Sequence, residues 1–229
     1  ITSSSSGQVG GLVGLFYGGN NITTYGIKNS YATGNIQDDS SPSIGGLVGR
    51  YMSAYIENSY ATGSITGTYT SGTIAGLVGF AMSSTISDSH ATGSINETLS
   101  SSMSQNQPNG ANFGGLVAYT DADIINSYAT GSINENSAES AGGLVGNLSN
   151  GSISNSYASG DVTTANTTNV GGLAGYFIEF QGAITNAYAS GNIITQNSTT
   201  AGGLIGQAND ATVQNSHASG NISSENTEY

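Results

Sequence analysis

Gly45-Gly46-Leu47-Val48-Gly49 and Asn58-Ser59-Tyr60-Ala61-Thr62-Gly63-Ser64-Ile65 are two phrases that the chain repeats from one end to the other. The first recurs at Gly10–Gly14, Ala75–Gly79, Gly114–Ala118, Gly142–Gly146, Gly171–Gly175 and Gly202–Gly206. The second starts at Asn29, Asn58, Asp88, Asn126, Asn155, Asn186 and Asn215, with spacings of 29, 30, 38, 29, 31 and 29 residues. A period near 30 with one long insertion is the mark of stacked repeats. The segments between turns are rich in Ile, Val, Tyr and Thr and poor in strong helix formers, which excludes a helical solenoid. The reading is all-β: a parallel β-solenoid of about seven coils, a single body over 1–229 that enters and leaves in mid-repeat.

Alternation sorts the side chains of the second phrase. Ser59, Ala61, Gly63 and Ile65 share one face, small or aliphatic in every repeat, and form the interior. Two further interior columns are expected. One is Ile27, Ile56, Ile86, Ile124, Ile153, Ile184 and Val213; the other is Ile36, Ile65, Ile95, Ile133, Val162, Ile193 and Ile222. The first phrase resists the same treatment, because Leu12 and Val13 point to opposite faces of a straight strand and both positions stay apolar. Either a bulge intervenes at the glycines, or a Val column looks outward, under spacer loops or against a neighbour. Each coil is expected to hold three short strands, with spacers such as Gln37–Ser43, Thr66–Thr73 and Asn96–Asn112 looping at one corner. At parallel-strand spacing, seven coils make a rod of about 33 Å.

Composition bounds the function. The net charge is −12 and Lys28 and Arg50 are the only strong bases, too few to neutralise phosphates. Nucleic acid and anionic lipid are therefore excluded as partners. No cysteine is present, which removes disulfides and thiolate metal sites, and no run of apolar residues is long enough for membrane insertion. Acidity without charge blocks suits an extracellular or cell-surface protein. Sequons for N-glycosylation lie at Asn21, Asn96, Asn147, Asn150, Asn166, Asn197 and Asn221, all but Asn221 outside the two phrases.

The GGLVG phrase together with the Asn-Ser-Tyr-Ala-Thr-Gly phrase resembles the GLUG-motif repeat family, and the resemblance covers the whole chain. Departures are mild: Ala118 for the last Gly, Ala174 for Val, His90 and His217 for Tyr. The family occurs as repeat arrays in large secreted or surface-attached bacterial and archaeal proteins, including adhesins and non-catalytic regions of some immunoglobulin A peptidases. The resemblance implies an extracellular scaffold and names no catalytic residue.

Other constellations have ordinary readings. Asp88-Ser89-His90 holds the residue types of a hydrolase triad, but neighbours on a strand point apart, and a triad needs mutual hydrogen bonds. The 14 acids scatter through the spacers without the repeated facing pair that glycosidases use. Two bases are too few for a uronate lyase. Asp121 with Asp123, or Asp38 with Asp39, do not match a calcium loop and read as solvated turn acids. No enzyme activity, cofactor or metal is expected.

The outward columns are the candidate surface. Tyr31, Tyr60, His90, Tyr128, Tyr157, Tyr188 and His217 form one ladder, with Thr33, Thr62, Thr92 and Thr130 beside it, continued by Ser159, Ser190 and Ser219. Stacked Tyr and Thr stabilise a sheet by themselves; alternatively, exposed aromatics beside hydroxyls bind glycans or another surface. No polar capping element is evident at either end, and bare solenoid ends expose unpaired strand edges. The expectation is a stalk, adhesin repeat or filament unit whose edges pair with neighbouring repeats or stack end to end with a second copy.

Overall fold

A computed structural model describes residues 1–3, 7–19, 23–68, 71–97, 110–178 and 182–226. The Asn21 sequon, Pro108 and most of the long third spacer lie outside these residues. Among them there is no helix. One coil runs through Ile36–Asp38, Ser43–Gly45, Val48–Met52, Tyr55–Glu57 and Tyr60–Ala61. Each strand pairs in parallel with its counterpart one coil on: Ile36 with Ile65, Ile44 with Ile74, Val48 with Val78, Ile56 with Ile86 and Tyr60 with His90. The Ile36 strand belongs to an eight-stranded sheet and the other four to seven-stranded sheets. The parallel β-solenoid expected from the sequence is what forms, and identical positions stack.

The coil has five strands, not three. A bend at Gly46 and Leu47 ends the strand Ser43–Gly45 and starts Val48–Met52. A second break separates Tyr60–Ala61 from Ile65–Gly67. Closing a short coil around a core needs corners, and glycines provide them without side chains in the way. The start of each spacer, expected as loop, continues instead as the strand after the motif glycine, as in Ile36–Asp38.

The first bend also corrects the Val column. Leu47 and Val48 are both fully buried, and their backbone N–H groups both donate to the Leu77 carbonyl, at 2.9 and 3.0 Å. Since the chain turns between them, both side chains enter one interior, and the Val column does not look outward. The interior columns Ile27 to Ile184 and Ile36 to Ile193 are buried as expected. In these two columns the opening is at the last coil, where Val213 is 44% and Ile222 47% exposed. Each buried Leu or Ile contributes about 1.5–3 kcal/mol of apolar transfer, and repetition joins them into a core that runs from Ile27 to Ala189.

That interior is divided in two. Leu47, Val48, Tyr51, Ile56 and Ala61 line one core, and Ile36 and Ile44 line the other. The strand Ser43–Gly45 lies between them, with Ile44 facing the second core and Ser43 Oγ donating to the Gly49 carbonyl at 2.7 Å. Here backbones approach closely. A Cβ on Gly49 would lie 2.8 Å from Val9 N, and one on Gly45 2.7 Å from Gly79 N. The motif glycines therefore supply room, not unusual dihedrals; positive φ occurs only at Gly19, Gly72 and Gly110 among the described glycines. Left-handed corners are made mostly by asparagine, with Ser53, Ser83, Asp88 and Asp210 at the others. Asn29, Asn58, Asp88, Asn126, Asn155, Asn186 and Asn215 all have φ between 47 and 51°, a conformation Asn and Asp tolerate better than other residues with a Cβ.

A stacked tyrosine ladder and a buried acid column

The Asn corner delivers the chain into the tyrosine strand, and the next residue fixes its height. Ser59 N donates to Ser89 Oγ at 3.1 Å, Ser89 N to Ser127 Oγ at 3.2 Å and Ser127 N to Ser156 Oγ at 3.0 Å. The inward serines are thus rungs that tie each coil to the next where a corner interrupts the regular ladder. In the sixth repeat Ala187 stands at this position and offers no hydroxyl to Ser156.

With the rise fixed, the ladder rings stack. Successive centroids from Tyr31 to Tyr188 lie 4.7–5.0 Å apart with interplanar angles of 2–6°. His217 extends the stack at 5.4 Å and 12°. All seven residues of the expected ladder therefore come together. Their faces are turned to one another, so the interior rings offer solvent only edges and, for Tyr, hydroxyls. Tyr31, at the first rung, is 58% exposed. Thr33, Thr62, Thr92 and Thr130 lie exposed beside the rings, as do Ser159, Ser190 and Ser219. Burial lowers the His90 pKa, which favours the neutral ring in the stack. Burial first, then Tyr188 and Tyr128, raises that of Tyr157.

The remaining candidates are separated. Ser89 is buried and donates to the Ser87 carbonyl at 2.7 Å, His90 stacks between Tyr60 and Tyr128, and Asp88 Oδ1 accepts from Asn126 Nδ2 at 3.2 Å. No triad geometry joins them. Asp121 Oδ1 accepts from Ser83 N, whereas Asp123 Oδ1 accepts from Ser152 N at 3.0 Å. These carboxylates brace coils on opposite sides. Asp39 accepts from Thr68 N at 3.3 Å. Among the described residues no group of three His, Cys, Asp or Glu side chains is placed to hold a metal ion. Of the described sequons, Asn150, Asn197 and Asn221 are exposed, Asn96 and Asn166 half-buried, and Asn147 buried. Asn186 Nδ2 donates to Asn155 Oδ1 at 3.2 Å and Asn197 Nδ2 to Asn166 Oδ1 at 3.1 Å, so both asparagine columns form amide ladders.

Sequence reading missed one column. Asp38, Glu97 and Glu135 occupy the position two after the interior isoleucines Ile36, Ile95 and Ile133, and all three are buried. The acids are therefore not all spacer decoration, and Asp38 is not a solvated turn acid. Its Oδ1 accepts from Ser41 N at 2.7 Å and its Oδ2 from Ser41 Oγ at 2.8 Å. Alternation carried two residues beyond each Ile points these side chains inward, and that was the available signal.

A coil stack with in-register side-chain ladders and close-packed motif glycines defines a β-solenoid repeat scaffold. The chain belongs to the GLUG-motif family, whose model matches residues 40–66, 70–96, 109–134, 137–163, 166–194 and 197–223. Over 73 residues it is 36% identical to a protein of Evansella cellulosilytica conjecturally described as a Gly-rich membrane protein, covering 30% of this chain and 8% of that one. Among solved structures it is similar to IgA1 Protease, with a TM-score of 0.54 and 25% identity over 92% of this chain and 18% of that chain. The chain thus spans a small part of both relatives. Among the described residues no helix is long and apolar enough to cross a membrane.

Proposed function

We propose that this chain is a mechanical segment of an extracellular or surface-attached protein: a stiff, non-enzymatic stalk or adhesive repeat region. The observation that carries the reading is the unslipped pairing of five sheets from coil to coil. Such an array resists bending because every backbone rung and side-chain column would have to shift together. The small share of each relative that it covers suits a structural part of a longer protein. Leu12, Leu15, Val213 and Ile222 are 44–54% exposed on the end coils. They suit contact with a further coil, supplied by adjoining repeats or by a second copy stacked end to end.

The competing reading, a glycan-binding module on the Tyr/Thr face, is less well supported, because ring faces that would pack on a sugar are occupied by neighbouring rings. Negative-stain electron microscopy of the purified chain at several concentrations tests the proposal. Straight particles of constant width are expected, lengthening into filaments where ends pair. Globular or freely flexing particles would overturn the stalk reading, and short rods at every concentration would remove end-to-end stacking.

A further inference from the structure

Only two strong bases exist in the sequence, and neither serves the buried acids Glu97 and Glu135. Lys28 is paired with Glu57 at 2.9 Å, and the Arg50 guanidinium lies over the Phe80 ring at 4.6 Å. Glu97 and Glu135 nonetheless stack. Ile95 pairs with Ile133 and Asn96 with Asn134, which brings the two glutamates to the same inward position of adjacent coils. Glu97 is 8% and Glu135 1% exposed. Glu97 Oε2 accepts from Asn136 N at 2.7 Å, and Glu135 Oε1 accepts from Thr167 Oγ1. Glu135 Oε2 is buried and has no hydrogen-bond partner.

We propose that Glu97 and Glu135 share a proton in the folded chain and act as a pH-sensitive fastener between these two coils. Two carboxylates at one buried position cannot both ionise without strong repulsion. A proton on Glu135 Oε2 turns an orphaned acceptor into a donor and removes a buried charge. The balance is simple, since folding at neutral pH takes up one proton from solvent. Among the described residues the further acids near the pair are exposed: Glu225 lines the same cavity as Glu135 but lies open to solvent, and so does Glu139. The sequence of 98–109 contains no ionisable residue, and the facing residues Thr164 and Thr167 are neutral. Burial foremost, with repulsion from Glu97, raises the Glu135 pKa well above its ordinary value of 4.5, while hydrogen bonds from Thr167 and Ser137 oppose the rise. The fastener is therefore fully closed below about pH 4.5, near the unfolded value, and loosens as pH climbs through the folded value.

Denaturant unfolding of the full 229-residue chain between pH 4.5 and 8 tests this. For one proton taken up on folding, the folding constant falls about tenfold per pH unit within the window. Glu135→Gln, neutral and close in shape, removes that slope, and Glu97→Gln shifts it to lower pH. Infrared spectroscopy of the unaltered chain supplies a readout independent of variant folding: a protonated-carboxyl carbonyl band at pH 6 that Glu135→Gln abolishes. Parallel pH profiles for the unaltered chain and Glu135→Gln, or no protonated band at pH 6, would overturn the proposal. So would a rise in stability with calcium at pH 8 that erases the slope, since a metal ion would then hold the pair.

Discussion

Replacing Gly143 by alanine is the sharpest test of what the motif glycines do. A Cβ there would lie 2.2 Å from the Gly172 carbonyl oxygen in the next coil and 3.0 Å from Ala158 Cβ behind it. Neither obstacle can yield alone, because the carbonyl belongs to a paired coil and Ala158 is fully buried. Relief requires the coils to part, which weakens the Gly143 N to Gly171 O bond of 3.2 Å. Overpacking of this kind costs about 1–3 kcal/mol, more where backbone must move, and we expect at least about 3 kcal/mol. Two controls calibrate the number. Gly203 occupies the same motif position in the last coil, where a Cβ meets nothing closer than Ala218 Cβ at 3.0 Å, so Gly203→Ala should cost less than about 1 kcal/mol. Gly146→Ala should cost about 1–3 kcal/mol: its Cβ would lie 2.6 Å from the Ala118 carbonyl oxygen and 2.7 Å from that of Phe113, although the neighbouring coil accommodates Ala118 at the same motif position. Urea unfolding followed by far-ultraviolet circular dichroism measures all three. Equal losses for Gly143→Ala and Gly203→Ala would refute the argument that the neighbouring carbonyl excludes the side chain.

Three further outcomes follow from the columns. Ala187→Ser should restore the missing serine rung to Ser156 N and stabilise by about 1 kcal/mol; thermal unfolding reads the gain, and a loss would mean that the packed site has no room for the hydroxyl. Asn155→Ala, at φ 49°, should cost about 1–2 kcal/mol in the same assay, while Asn155→Gly keeps the corner and loses only the amide ladder. Tyr128→Ala removes two stacked contacts and should cost about 1–3 kcal/mol, whereas Tyr128→His should be mild, because His90 and His217 already occupy ladder positions. Equal losses for the Ala and His variants would argue that stacking contributes nothing there.

Much of this was legible because a solenoid repeats its evidence. One Ser-Tyr-Ala-Thr-Gly-x-Ile strand is ambiguous, but seven copies with the small and aliphatic residues always at the same parity fix the inward face. The bend inside GGLVG was harder to read. Alternation assumes a straight strand, and a glycine column marks either a bulge or a close approach until it is known what approaches. The neighbour is a backbone thirty or so residues away in sequence, as Gly45 and Gly79 show, and no local pattern names it. The asparagines were visible as a motif but not as corners, because the residue type permits several turn conformations. The buried acids were hidden differently. Glu97 and Glu135 lie in variable spacers, and composition suggested solvent, although the parity of Ile95 and Ile133 already pointed them inward.

The ladder also limits what a binding face on such a protein can be. Aromatic recognition of sugars needs a ring with a free face, yet in a parallel stack the rise that closes the backbone ladder also brings rings to 4.7–5.0 Å. Within this geometry an aromatic column cannot be fully paired and also fully available. Availability returns only where the stack is broken or ends, as at Tyr31, or where a smaller residue opens a gap between rings. A GLUG array that had acquired ligand binding through this column would therefore show interrupted aromatic positions. In this chain all seven positions are aromatic, with His rather than a small residue at the two departures. The uninterrupted column favours cohesion along the rod over recognition at its side.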